Sequence, residues 1–226
     1  DHLDQKVLQK LADLKVKNVV LRCAGYNQVD LKTAHELGIK ICRVPAYSPE
    51  AVAEHALALL MTVVRKTHKA YNRVRENNFS LEGLIGINIY KQTVGIIGTG
   101  AIGSAFCKIM LGMGCRVLAV DRYENELLKD LGVKYVELDE LFEQSSIISL
   151  HCPLTPETKH LINSKRLAQM KTGVAIINTS RGGLVETKAV IKALKKKKVG
   201  YLAIDVYEQE EYLFFQDLSE EILQDE

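Results

Sequence analysis

The chain has 226 residues, 47% of them hydrophobic and 26% charged, proportions of a folded globular protein and not of a disordered one. Its 30 basic and 28 acidic side chains leave a formal net charge of +2, which offers no general attraction to nucleic acid or to an anionic membrane. The five cysteines (Cys23, Cys42, Cys107, Cys115 and Cys152) form no C-x-x-C pair and are odd in number, so reduced thiols in a cytoplasmic protein are expected, and a zinc site or other metal centre is not.

Taken in order, short β-branched runs alternate with longer amphipathic stretches. Val19 to Leu21 predicts a strand, Val29 to Leu37 a helix stopped by Gly38, and Ile39 to Val44 a second strand closed by Pro45. One long helix is expected from Glu50 to about Asn77, opened by Pro49 with Ser48 as N-cap. Its apolar run, Ala51 to Val64, is interrupted by Glu54 and His55 and is too short and polar to span a bilayer. Strands follow at Thr93 to Ile97 and Arg116 to Asp121, with a helix from Ile102 to Met113 between them. Helices at Asn125 to Leu131 and Leu138 to Gln144 flank an edge strand near Tyr135. Strands at Ile147 to His151, Val174 to Asn178 and Leu202 to Val206, with a helix from Val185 to Lys195, complete the series. The lysines 195 to 198 suit a solvated helix C-terminus. Continuous apolar strands separated by helices imply an α/β fold, a doubly wound parallel sheet covered on both faces. Asp1 at the start, in place of Met, and the polar acidic run from Ser219 to Glu226 lead us to expect a piece of a longer chain.

The strand Val94 to Ile97 runs directly into Gly98-Thr99-Gly100-Ala101-Ile102-Gly103, and a helix follows at once. This is the context in which a G-x-G-x-x-G carries meaning. Gly98 permits the tight turn, Gly100 removes the Cβ that would block a pyrophosphate, and Gly103 allows close helix–strand packing. The next strand ends in Asp121, 18 residues after Gly103, where an acid would bind ribose hydroxyls and repel a 2′-phosphate. A Rossmann domain holding NAD is therefore expected. Arg122 beside the acid would soften the preference over NADP.

Two further stretches, Asn178-Thr179-Ser180-Arg181-Gly182-Gly183 and Ala203 to Glu210, together with the glycine loop, resemble the D-isomer-specific 2-hydroxyacid dehydrogenase family. Leu150 to Thr155 is similar to that family's adenine-side loop, and Leu21 to Asn27 to its substrate loop. Val44 to Pro49 followed by Ala53-Glu54-His55 is most similar to the D-lactate dehydrogenases within it. The resemblance implies a split organisation. Residues 1–47 would be part of a smaller, flavodoxin-like substrate domain, and 48–226 the linking helix and NAD-binding domain. It also implies a homodimer, for which the apolar run Ala56 to Val64 on the linking helix is the expected surface.

The implied reaction is hydride transfer between NAD(H) and a small 2-keto acid or D-2-hydroxy acid. Arg181 is the group whose forked guanidinium would hold carboxylate and carbonyl together. By motif position Glu210 is the carboxylate that would hold a histidine acid/base, although Glu208 and Glu211 stand close enough to compete. No histidine follows His160, so residues 1–226 alone are expected to bind NADH and to turn over poorly. His55 is a weak substitute, and His151 would border the adenine side. Backbone N–H groups of Ala24 and Gly25 would hold the substrate carboxylate. Tyr47 would cap the substrate or serve as a buried hinge aromatic. Ala101 and Ile102 would offer loop amides, Cys152 and Pro153 would flank the adenosine, Thr179 and Ser180 would line the nicotinamide side, and Asp205 would sit near the carboxamide. The alternatives are an NAD(H)-sensing interaction protein of corepressor type, or a fragment with no activity of its own.

Overall fold

The structure, a computed structural model, describes residues 2–26, 28–45 and 48–208. The chain divides into two compact units, one ending at Pro49 and one starting at Glu50.

In the first unit, β1 (Asn18–Leu21) pairs in parallel with β2 (Lys40–Arg43), Val19 opposite Ile41. Helix α1 (Gln5–Asp13) precedes them and α2 (Leu31–Glu36) connects them. Both begin on an aspartate. Asp4 accepts the Val7 N–H and Asp30 the Thr33 N–H, each satisfying an amide that has no partner within its helix. Leu8, Ala34 and Ile39 form the buried centre. The sequence reading contained no α1, although Asp4 and the spacing of Val7, Leu8 and Leu11 carry its signal.

The second unit is built on six parallel strands in the order β5-β4-β3-β6-β7-β8. They are β3 (Thr93–Ile97), β4 (Arg116–Val120), β5 (Lys134–Tyr135), β6 (Ile147–Leu150), β7 (Val174–Asn178) and β8 (Val199–Ile204). The order runs outward in both directions from β3 and β6, so the strand sequence reverses between them. At such a switch point the connections leave on opposite faces and open a crevice at the strands' C-terminal ends. Successive residues serve two cores. Val94 and Ile96 pack beneath α3 (Pro49–Arg65) and α5 (Ala101–Gly112). Ile97, Ile148, Leu150 and Ile176 pack beneath α7 (Leu138–Gln144), α8 (Ser164–Gln169) and α9 (Thr187–Lys195). That two-sided burial is why the strands read as continuous apolar runs.

The single long helix expected from Glu50 to Asn77 is corrected. It breaks at Lys66, which adopts the left-handed conformation (φ 56°) between α3 and α4 (Thr67–Arg75). The cause lies twenty residues downstream. The Val64 carbonyl accepts the N–H of Ile87 at 3.1 Å, and Gly86 packs so closely that a Cβ there would lie 2.2 Å from that same oxygen. The Lys66 ammonium bonds the Gly83 carbonyl at 2.7 Å. Within the apolar run Ala56 to Val64, Ala56, Leu60 and Val64 are wholly buried in the unit's own core, and Leu57, Leu59, Met61 and Val63 are partly buried against it. The last strand starts at Val199 and not Leu202, because α9 ends at Lys195 and Lys197 (φ 58°) turns the chain at once. Helix α8 was also absent from the sequence reading; Asn163 caps it by accepting the Arg166 N–H. Among the described residues no helix is long and apolar enough to cross a membrane, and no three His, Cys, Asp or Glu side chains cluster as metal ligands.

Candidate active site

Because all six strands are parallel, the turns after β3, β4, β6, β7 and β8 leave from one edge of the sheet. Most of the expected site residues lie on those turns.

The turn after β3 is shaped by what cannot fit. Gly98 (φ +94°) donates its N–H to Val120 O at 2.9 Å. A Cβ there would lie 2.7 Å from the backbone of both His151 and Cys152. A Cβ on Gly103 would lie 1.9 Å from Gly98 O. Gly100 is the opposite case, since a Cβ there would meet nothing within 4 Å. It is the N-cap of α5, no side chain caps that helix, and its first turn carries no acid. The amides of Ala101, Ile102 and Gly103 therefore begin a twelve-residue helix whose positive end faces open space beside Gly100. That arrangement suits a diphosphate.

Asp121 closes the other side. Its Oδ2 accepts the N–H of Thr99 at 2.5 Å and the Thr99 hydroxyl at 3.1 Å, tying the middle of the glycine turn to the end of β4. Burial pushes the carboxyl's pKa up, but the amides of Thr99, Tyr123 and Arg122 and the Thr99 hydroxyl outweigh it, and the group titrates below its ordinary range. The Tyr135 hydroxyl donates to Thr99 Oγ1 at 2.9 Å and accepts the Asn125 N–H at 3.0 Å. Tyr135 and Thr99 were not foreseen as site residues; an edge-strand tyrosine gives no hint of a partner 36 residues away. Arg122 lies 3.9 Å from Glu157, both side chains well exposed.

After β6, the His151 ring sits 5.0 Å from that of Phe106, with Nε2 2.8 Å from Ser149 Oγ. Burial lowers its pKa to about 4, so it is a neutral ring behind the glycine turn. Cys152 is buried, its thiol pushed up to about 11 by that burial, whereas Pro153 is exposed. The Cys152 carbonyl accepts the Ser180 hydroxyl at 2.8 Å.

After β7, the fully buried Asn178 shapes the next three residues. Its Oδ1 accepts the Ser180 N–H at 3.0 Å, its Nδ2 donates to Arg181 O at 2.9 Å, and its own carbonyl accepts the Asp205 N–H at 3.0 Å. Such a side-chain turn is the habit of an asparagine at a strand end, so this role was legible and was missed. Arg181 is exposed, with one guanidinium nitrogen on Ser180 O at 2.8 Å. The buried Thr179 Oγ1 has no protein partner among the described residues, and a buried hydroxyl without a partner suits a ligand hydroxyl.

After β8, Asp205 lies 3.3 Å from His55 Nε2 of α3. Glu208 lies 2.5 Å from His160 Nε2 and accepts the Thr187 N–H at 3.0 Å. Burial raises its pKa, but the Thr187 amide, His160 and the Thr187 hydroxyl together hold it low. Ala24 and Gly25 lie in the first unit. The Ala24 carbonyl takes the Arg43 guanidinium at 3.1 Å, and the Gly25 carbonyl takes the Gln28 amide at 3.4 Å. Tyr47 and Glu210 fall outside the described residues.

Residues 57–222 match the family described as D-isomer specific 2-hydroxyacid dehydrogenase, NAD binding domain. The chain is 58% identical over 226 residues to a 2-hydroxyacid dehydrogenase homolog of Haemophilus influenzae, covering all of this chain and 68% of that protein. It is 54% identical over 226 residues to the D-lactate dehydrogenase of Escherichia coli, covering all of this chain and 69% of that one. The solved D-lactate dehydrogenase of Aquifex aeolicus, complexed with NAD and lactic acid, superposes with a TM-score of 0.88 at 38% identity, over 99% of this chain and 69% of that one.

The neutral His151 has a consequence for stability. Its folded pKa, about 4, lies below the ordinary 6.5. Below pH 6.5 the unfolded chain therefore takes up the proton that the folded chain refuses. The contribution is complete above pH 6.5 and declines as pH falls toward 4. For a displacement of this size the loss is about 2 kcal/mol between pH 7.5 and pH 5. Urea unfolding of His151→Gln at the two pH values should show that much less acid destabilisation than the parent. Equal losses in the two proteins would contradict the assignment.

Proposed function

Because the chain belongs to the D-isomer specific 2-hydroxyacid dehydrogenase family, we propose that it serves the NAD(H)-linked interconversion of a short 2-keto acid and its D-2-hydroxy acid, with pyruvate and D-lactate as the pair. The observation that carries this reading is the placement of an uncapped helix N-terminus, the Asp121 carboxylate and Arg181 on turns from one sheet edge. Bound NAD supplies or accepts the hydride. The residues of this chain supply position and charge.

The α5 amides and Gly100 would receive the diphosphate, and Asp121 the adenosine ribose. Thr179, Ser180 and Asp205 would line the nicotinamide end, with Cys152 and Pro153 on the adenosine side. Arg181 would grip the keto acid by its carboxylate and draw charge onto the carbonyl oxygen, which becomes the alkoxide. Ala24 and Gly25, with Tyr47, are read as substrate-binding residues of the first unit, itself read as part of a substrate domain. Glu210 would orient the histidine that delivers the proton. The last histidine of the 226 residues is His160, and its ring is held by Glu208. Residues 1–226 by themselves should thus bind NADH and reduce pyruvate slowly. No observation favours the sensing alternative.

A second copy of the chain is the proposed cover for an apolar surface on and after α4. Tyr71, Val74, Phe79, Leu81, Ile85 and Tyr90 are all more than half exposed. The loop that carries several of them is nonetheless held, since Arg73 bonds the carbonyls of Ser80 at 3.0 Å and Glu82 at 2.5 Å. So much apolar exposure within twenty residues of held chain suits an interface.

Steady-state kinetics of Arg181→Lys in the full-length protein test the first reading. A lysine keeps the charge and loses the fork, so kcat/KM for pyruvate should fall roughly 10²-fold or more, with NADH affinity within about twofold. Retention of kcat/KM within about threefold would refute the role. For the second reading, sedimentation should give a dimer that Phe79→Asp with Leu81→Asp converts to monomer. A monomeric parent at micromolar concentration would refute it.

A further inference from the structure

Motif spacing alone left Glu208, Glu210 and Glu211 in competition for one role. Glu208 is already committed elsewhere. Its Oε2 accepts the N–H of Thr187 at 3.0 Å, in the first turn of α9, whose own N-cap residue, Glu186, provides no side-chain bond. A carboxylate at that place satisfies a free amide and complements the helix dipole. Its Oε1 lies 2.5 Å from His160 Nε2.

Glu208 and His160 each grip, through backbone, the turn that follows Arg181. A Cβ on Gly182 would lie 2.0 Å from Tyr207 O and 2.6 Å from Glu208 N, so the 207–208 peptide lies flat against the residue next to the arginine. From the other side, His160 donates its N–H to Gly183 O at 2.9 Å, with its own backbone in the left-handed region at φ 52°. The Glu208 side chain ties these two grips together. Asn178 holds Arg181 itself through the arginine's carbonyl.

We propose that Glu208 and His160 form a clasp that fixes the Arg181 guanidinium for the substrate carboxylate, both acting as positioning residues and touching neither substrate nor cofactor. This rests on the reading of Arg181 as the keto-acid anchor. The clasp also fixes the chain two residues before Glu210, which leaves Glu210 free for the role that Glu208 cannot fill.

The test is binding of oxamate, a non-reacting isostere of pyruvate, to the NADH-loaded full chain. Glu208→Ala and His160→Ala should weaken oxamate about tenfold and leave NADH affinity within about twofold, because the displacement is local to the arginine turn. Glu208→Gln, which keeps an oxygen for Thr187 and an amide for His160, should recover to within about threefold of the parent. Arg181→Ala should lose at least as much, and Glu208→Ala added to it should cost little more, as expected of two residues acting through one contact. If Arg181→Ala weakens oxamate and neither clasp variant does, the clasp is refuted and the arginine reading stands. If Arg181→Ala binds oxamate normally, that reading fails and the inference with it. Additive losses in the double variant, or parallel losses of NADH and oxamate, would each overturn the clasp. Should Glu208→Ala fail to fold, His160→Ala and Glu208→Gln carry the same readings.

Discussion

At Gly98 three pieces of backbone meet with no room for a methyl group. The strand β3 ends there, β6 delivers His151 and Cys152 against it, and Gly103 in α5 presses on its carbonyl. The reversal of strand order between β3 and β6 opens the crevice, and the missing side chains decide how near the helix end can stand to it. Everything else in the candidate site is arranged around that contact. Thr99 is pinned to Asp121 and Tyr135 on one side. Ser180 is pinned to Cys152 on the other, which carries the position of the glycine turn across to the turn bearing Arg181.

Three carboxylates on the same sheet edge are sorted by their surroundings. Asp121 is partly buried among amides and kept ionised by them. Asp205 is exposed and paired with His55. Glu208 is bound to a helix end and a histidine. The first suits ribose hydroxyls and the third suits architecture. Charge alone would not distinguish them; hydrogen-bond partners do.

Local patterns made most of the second unit legible. The parallel sheet, the glycine turn and the acid at the end of β4 follow from apolar runs and spacing, because each depends on neighbours in the chain. Features decided by distant neighbours were not legible. The break at Lys66 depends on Gly86 and Ile87, whose backbone takes over the Val64 carbonyl. Nor does periodicity say that, of the expected association run Ala56 to Val64, the unit's own core takes Ala56, Leu60 and Val64. Tyr135 and His160 act on partners 36 and 48 residues away, which no periodicity reports. Asn178 is a different case, for its turn was readable and was passed over.

The central claim is that the edge formed by Gly98 to Gly103 and Asp121 seats NAD, with the carboxylate turned toward the adenosine ribose. Titration of the chain with NADH and with NADPH, followed by cofactor fluorescence, tests it most directly. A 2′-phosphate set against the Asp121 carboxylate costs several kcal/mol, so NADH should bind about 10²-fold more tightly than NADPH. Equal affinity for the two cofactors, or no binding of NADH, would contradict the account.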